Sequence, residues 1–165
     1  MKKLVLLGAF ALFGGVAHAQ EGFKLGGHIG IPVSDAGDVS SFTLGIDGAY
    51  MWNIVKGLDL GVATGYSHFF GKDHFDDFGF IPVAVAGKYK FSGAPVFVGL
   101  DLGYGISVKD GVDGGFYAQP KFGYQMSTGE LYLGYQTISN KRDLGPARYS
   151  WNVGAVNLGY NFFLK

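Results

Sequence analysis

From residue 23 onward the chain alternates, with apolar residues at every second position. Phe23, Leu25, Ile29, Ile31 and Val33 take one parity, and Lys24, Gly26, His28 and Gly30 take the other. The same grammar returns over 42–54, 58–67, 81–91, 96–106, 116–124, 130–136 and 156–164. Period two is the signature of a strand with two different faces, and no stretch beyond residue 22 shows the 3.6-residue period of a helix. Trp151, Val153 and Ala155 stand in the opposite parity to Val156, Leu158 and Tyr160. That switch predicts a bulge near Gly154, re-aiming the last strand by one residue.

Eight such segments, each long enough to cross a bilayer at a barrel's tilt, predict an all-β, eight-stranded antiparallel up-and-down barrel. The connections alternate in length. Val55-Lys56-Gly57, Ser92-Gly93-Ala94 and Ser127-Thr128-Gly129 are short, whereas 34–40, 70–79, 109–114 and 139–148 are longer and polar. Short turns at one end and long loops at the other is the arrangement of barrels that cross a membrane. The segment before residue 20 is different. Met1-Lys2-Lys3, the apolar run from Leu4 to Val16 and Ala17-His18-Ala19 together read as an export signal over 1–19, leaving a barrel over 20–165.

Composition decides which face looks outward. A soluble barrel keeps its apolar face inside, and a membrane barrel reverses this. Here charged residues are only 16% of the chain, and 29 of 165 residues are Gly. Many of the Gly, including Gly26, Gly30, Gly45, Gly61, Gly99, Gly123, Gly134 and Gly159, lie on the polar parity. On a solvated face they would weaken a strand, whereas in a narrow lumen they relieve crowding. Aromatics sit near the ends of the apolar face: Tyr50, Trp52, Tyr66, Tyr89, Phe91, Tyr104, Tyr124, Tyr160 and Phe162. Rings of this kind favour the headgroup boundary. Without Lys2 and Lys3 the acidic residues slightly outnumber the basic ones, so nothing points to nucleic acid, and no Cys is present for a disulfide, thiolate nucleophile or thiolate metal site.

The polar parity supplies the candidate site residues. Lys24, His28, Asp47, Asp59, Lys88, Asp101, Lys121 and Glu130, with Lys90, Gln119, Gln125, Tyr132 and Gln136, are expected to form a structural polar network filling the lumen. Folding the fifth and sixth segments about 109–114 places Asp101 opposite Lys121 and predicts an ion pair. A catalytic reading needs a His–Ser pair with an acidic orienter. The nearest candidates are Ser67 and His68 with Asp73 or Asp76, but adjacent strand residues point to opposite faces. The 72–77 stretch has O and N ligand atoms without a spacing that defines a metal site. No catalytic, cofactor or metal residue is therefore assigned.

The C-terminal run Asn157-Leu158-Gly159-Tyr160-Asn161-Phe162-Phe163-Leu164-Lys165 resembles the insertion signal of outer-membrane barrels, matched at Asn157, Gly159, Phe162 and Leu164 and departing from it in the final Leu164 and Lys165. The chain as a whole resembles the small eight-stranded, porin-like outer-membrane proteins, the group that includes the OmpX and OmpA transmembrane barrels. That resemblance implies a monomer in the bacterial outer membrane after signal cleavage, in contact with membrane lipids and lipopolysaccharide, and inserted by the barrel-assembly machinery. With no catalytic residue assigned, the expectation is a non-enzymatic protein with an envelope-structural or surface-interaction role and a side-chain-filled lumen. A narrow channel or small-hydrophobe conduit is the alternative, and a lipid A-modifying barrel enzyme the third.

Overall fold

A computed structural model describes residues 22–72, 74–144 and 147–164. The expected export signal, Asp73 and Lys165 lie outside them. The alternating segments become eight strands: β1 (Phe23–Ser34), β2 (Ser40–Val55), β3 (Leu58–Gly71), β4 (Phe78–Lys90), β5 (Val96–Ser107), β6 (Gly115–Gln125), β7 (Gly129–Leu144) and β8 (Ala147–Leu164). Each pairs antiparallel with its sequence neighbours, and β1 pairs with β8 from Phe23↔Leu164 to Ser34↔Val153, closing the barrel. The short connections turn on Gly57 and Gly93, whose φ values of 88° and 90° lie in the left-handed region that suits a residue without Cβ.

Four expectations are corrected. The 139–148 stretch is not a loop, because β7 and β8 stay paired from Ser139↔Asn152 to Leu144↔Ala147. The 34–40 stretch contains a short helix, α1 (Asp35–Val39), where only a polar loop was expected. Its Ala36 is fully buried, and Asp35 Oδ2 accepts the Asn152 N–H at 2.8 Å. There is no bulge at Gly154, since the ladders pass through it at Val33↔Gly154 and Thr137↔Gly154. Irregularities fall instead in the β2–β3 ladder, between Ser40 and Phe42 and between Asn53 and Val55. Finally, Asp101 stands opposite Gln119 and Lys121 opposite Gly99, a register two residues from the expected one.

The missing bulge has a physical reason. Val153 and Ala155 keep the parity of Asn157 and face inward because one end of the lumen is itself apolar. Ala36, Phe69, Phe78, Phe80, Ala84, Tyr117, Ile138, Val153 and Ala155 pack there as one buried cluster, with Val39, Val112 and Trp151 against it. Phe69 and Phe78 stack at 4.9 Å, and Phe80 meets both edge-on. This cluster lies at the end of the long connections. Towards the short turns the same inward parity turns polar: Ser67 to Asp59 on β3, Phe80 to Lys88 on β4, Ile138 to Glu130 on β7 and Ala155 to Asn161 on β8.

The outer wall is the mirror image. Leu25, Ile29, Leu44, Ile46, Val62, Val83, Val85, Leu102, Phe122, Leu133 and Leu158 are all exposed, on every strand of the ring. A continuous apolar belt of this size has no place in water and suits hydrocarbon. Aromatic pairs mark its short-turn rim: Tyr50 with Trp52, Tyr89 with Phe91, and Tyr160 with Phe162, at 4.7, 5.2 and 4.7 Å. Val85, near the middle of β4 and 64% exposed, sits deep in the belt. Val85→Arg is expected to lower stability in lipid vesicles by about 2–4 kcal/mol, read from urea unfolding of the vesicle-inserted barrel; an unchanged midpoint would contradict the lipid-facing assignment.

Candidate functional site

The inward face of a closed barrel concentrates polar groups where water is scarce, so each must find a partner. At the short-turn end the partner is Glu130 on β7. Lys24 Nζ on β1 reaches its two carboxylate oxygens at 3.1 and 3.0 Å, and Lys88 Nζ on β4 meets Oε2 at 2.5 Å. Asn161 Nδ2 donates to the same carboxylate at 3.3 Å, and Gln125 Oε1 accepts from Lys88 at 2.9 Å. Lys88 also lies over the Phe97 ring at 4.2 Å. One carboxylate on β7 thus draws in side chains from β1, β4 and β8.

Two further inward pairs stand beside it. Lys121 Nζ reaches Asp101 Oδ2 at 2.6 Å, so the expected ion pair forms although the two residues are diagonal rather than opposite. An ammonium on four methylenes spans the two-residue offset. Lys90 Nζ meets Asp59 Oδ2 at 2.9 Å, and Asn53 Nδ2 donates to Asp59 Oδ1 at 2.8 Å. Lys24, Lys88, Lys90 and Lys121 therefore face Asp59, Asp101, Glu130 and Asp47, and the lumen carries little net charge.

At mid-height the network changes character. His28 Nδ1 lies 3.0 Å from both oxygens of Asp47, and Tyr132 OH donates to Asp47 Oδ2 at 2.5 Å. His28 Nε2 is 3.2 Å from Ser67 Oγ. Serine, imidazole and carboxylate thus stand in the order of a nucleophilic relay, a grouping the sequence reading did not assemble. Ser67 is 2% exposed, however, and its hydroxyl donates to Gln136 Oε1 at 3.2 Å, away from the imidazole. Gln136 Oε1 also accepts from Asn157 Nδ2 at 2.9 Å. The chain His28–Ser67–Gln136–Asn157 joins β1, β3, β7 and β8 as a cross-barrel strut. A cavity of about 20 Å³ is lined by Asp47, Asp101, Tyr117, Gln119, Lys121 and Asn161 among others. It has room for about one water.

The structure places Ser67 and His68 on opposite faces, as alternation requires. His68 points outward and belongs to a second constellation at the long-connection rim. Tyr66 OH lies 2.8 Å from His68 Nδ1, and His68 Nε2 lies 3.2 Å from Asp77 Oδ2. Asp77 Oδ1 accepts the Gly71 N–H at 2.9 Å. That backbone donor, with His68 second, holds the Asp77 carboxyl below the ordinary carboxylate range even though water has free access to it. Asp76, the other expected orienter, pairs instead with Lys109 at 3.0 Å. Among the described residues no group of three or more His, Asp or Glu is placed to hold a metal.

Of the expected insertion residues, Asn157 and Gly159 face the lumen, while Phe162 and Leu164 face outward. Asn53, Tyr66, Asn157 and Asn161 were not foreseen as network members. For Asn157 and Asn161 the signal was present, since they share the inward parity of Gly159.

Two predictions follow from these contacts. Glu130→Gln leaves Lys24 and Lys88 adjacent without their counter-charge and is expected to destabilise the barrel by about 3–5 kcal/mol, with Lys88→Met restoring part of the loss in the double variant; equal unfolding midpoints for Glu130→Gln and the parent would refute the network. At the rim, Asp77 has a depressed folded pKa. Its tether is therefore complete above the ordinary carboxylate range and is lost only as pH falls through the lower folded value. The Gly71 amide resonance should accordingly hold its position through the range where exposed carboxylates titrate, and a shift within that range would show the tether absent.

No protein-family model matches the chain, and no curated protein matches it in sequence. Solved structures do match. The crystal structure of Neisserial surface protein A (NspA) superposes with a TM-score of 0.57 at 16% identity, over 89% of this chain and 100% of that one. The backbone structure of the Yersinia pestis outer membrane protein Ail, in a phospholipid bilayer nanodisc, superposes with a TM-score of 0.50 at 12% identity, over 87% and 100% of the two chains. Identities this low speak for architecture alone, and the architecture is plain: the chain has the fold of the small eight-stranded outer-membrane β-barrels.

Proposed function

We propose that the protein is a non-enzymatic barrel of the bacterial outer membrane, exported by its N-terminal signal, with a structural or surface-interaction role in the envelope and a lumen that does not conduct. The observation that carries this reading is the division of the lumen into two plugs. Towards the short turns, ion pairs and amides link the strands across the interior. Towards the long connections, Phe69, Phe78, Phe80, Ile138 and Val153 close the bore with apolar side chains. An ion leaving the polar half would enter a region with no group to replace its hydration shell, at a cost that forbids steady passage.

The reading also explains why so much interaction energy sits inside. A β-barrel in lipid gains nothing from burying its outer wall against itself, so stiffness must come from the backbone ring and the lumen. A filled, charge-matched lumen makes a rigid platform for the connections at its rim. Those connections carry Phe75, Asp76, Asp77 and Lys109 together with α1, so a partner would meet aromatic, carboxylate and ammonium groups rather than a cleft.

Planar-bilayer recording decides the point. The purified barrel is expected to give no discrete current steps at neutral pH, while the Phe69→Ala/Phe80→Ala double variant, which thins the apolar plug, should show transient openings. Regular steps from the parent protein would replace this reading with that of a narrow channel.

A further inference from the structure

A lipid-facing wall tolerates a polar group only where that group has a partner. On β3 the outward parity runs Leu60, Val62, Thr64, Tyr66, His68 and Phe70. Tyr66 and His68 therefore interrupt the apolar belt just inside the long-connection rim. The ladder sets Ile46 and Leu44 of β2 opposite them on one side. On the other side Gly79 of β4 stands opposite His68. A Cβ at Gly79 would come within 2.6 Å of Tyr66 OH, so the absence of a side chain there is what seats the Tyr66 ring. Phe70 packs edge-on against His68 at 4.5 Å and stacks on Phe42 at 4.2 Å. The result is a fixed phenol–imidazole–carboxylate line, walled by apolar and aromatic groups, at the long-connection end of the outer wall.

The hydrogen-bond inventory of this line depends on one proton. With His68 neutral, its Nε2–H serves Asp77 and its Nδ1 accepts the Tyr66 hydroxyl proton, so Tyr66 offers the membrane only oxygen lone pairs. With His68 protonated, Nδ1–H donates to the Tyr66 oxygen, and the Tyr66 O–H is released to donate outward. The imidazolium then cancels the Asp77 charge, and the site offers a free donor with no net negative charge to repel a phosphate oxygen. His74 is exposed on the same loop, and the other charged groups described there are engaged. Asp77 is held by Gly71 N–H and His68, Asp76 pairs with Lys109, and Lys72 Nζ donates to Gly37 O at 2.7 Å. Leu44 and Ile46 of β2 and Gly79 of β4, which stand opposite the pair in the ladders, are not titratable.

We propose that Tyr66, His68 and Asp77 form a proton-switched site for the phosphate of an anionic lipid in the leaflet at the long-connection rim. Lipid phosphate is accepted when His68 is protonated and released when it is neutral. The inference rests on the reading of the outer wall as lipid-facing and adds to it a lipid class and a control.

The test uses the intact barrel in phosphatidylcholine nanodiscs doped with phosphatidylglycerol, with retained lipid counted by native mass spectrometry at about pH 5.5 and about pH 7.5. Phosphatidylglycerol retention over phosphatidylcholine should rise about tenfold on acidification, the scale of one charge-assisted hydrogen bond. Tyr66→Phe and His68→Gln should each remove the rise, while His74→Gln, at the neighbouring exposed loop histidine, should leave it intact. A rise that survives Tyr66→Phe, or that His74→Gln abolishes, overturns the site. So does suppression of the rise by millimolar inorganic phosphate, which would make the ligand a soluble anion. Methyl contacts from Leu44 and Ile46 to lipid acyl chains, measured on the same samples, separate the two levels. Their absence sinks the membrane reading itself, whereas their presence without the pH-dependent rise sinks only the site.

Discussion

Inside a bilayer there is no water to satisfy a backbone N–H or C=O, and each one left open costs several kcal/mol. A sheet escapes that cost only by having no edge. The pairing of β1 with β8 along the whole of β1 is therefore the contact on which the remaining structure depends. Closure fixes eight strands in one ring, fixes which parity points in, and forces the inward side chains into a bore just wide enough for them. The Gly content follows from the same constraint. At Gly123 and Gly159 a Cβ would collide with the rings of Phe97 and Tyr132, so glycine on one strand makes room for an aromatic from another.

Closure also explains the axial segregation of the lumen. A fully polar interior would carry many groups needing partners, and a fully apolar one would lack the directional contacts that set register. The chain does both in sequence. Near the short turns Glu130, Asp101 and Asp59 each hold an ammonium from another strand. Mid-way, amides and hydroxyls from Gln136, Asn157 and Ser67 bridge the bore. Towards the long connections aromatic and aliphatic side chains take over.

Strand positions, closure and the outward belt were legible in the sequence, because period two leaves a signal in every strand. The inward set from Lys24 to Glu130 was legible for the same reason. What alternation could not convey is depth along the barrel axis. Trp151, Val153 and Ala155 looked like a parity error because an apolar residue was assumed to face lipid, yet Phe69, Phe78, Phe80 and Ile138 carry the same inward apolar signal at the same end of their strands. Comparing the eight inward faces end to end would have revealed the cap and removed the need for a bulge. The register of β5 against β6 was misjudged by two residues because ion pairing was taken to require direct opposition, and a lysine does not need it. Contacts such as His28–Asp47–Tyr132 and Ser67–Gln136 join residues from strands that are not all neighbours in sequence, and only closure in three dimensions brings them together.

Which face meets lipid decides everything above, and methyl NMR with a spin label attached to the lipid chains tests it most directly. Ile46, Val85, Leu102 and Leu133 should be strongly broadened by the label, while Ala84, Ala86, Ile138 and Val153 on the same strands or their neighbours keep their intensity. Broadening of the second set with protection of the first would turn the barrel inside out and contradict the account.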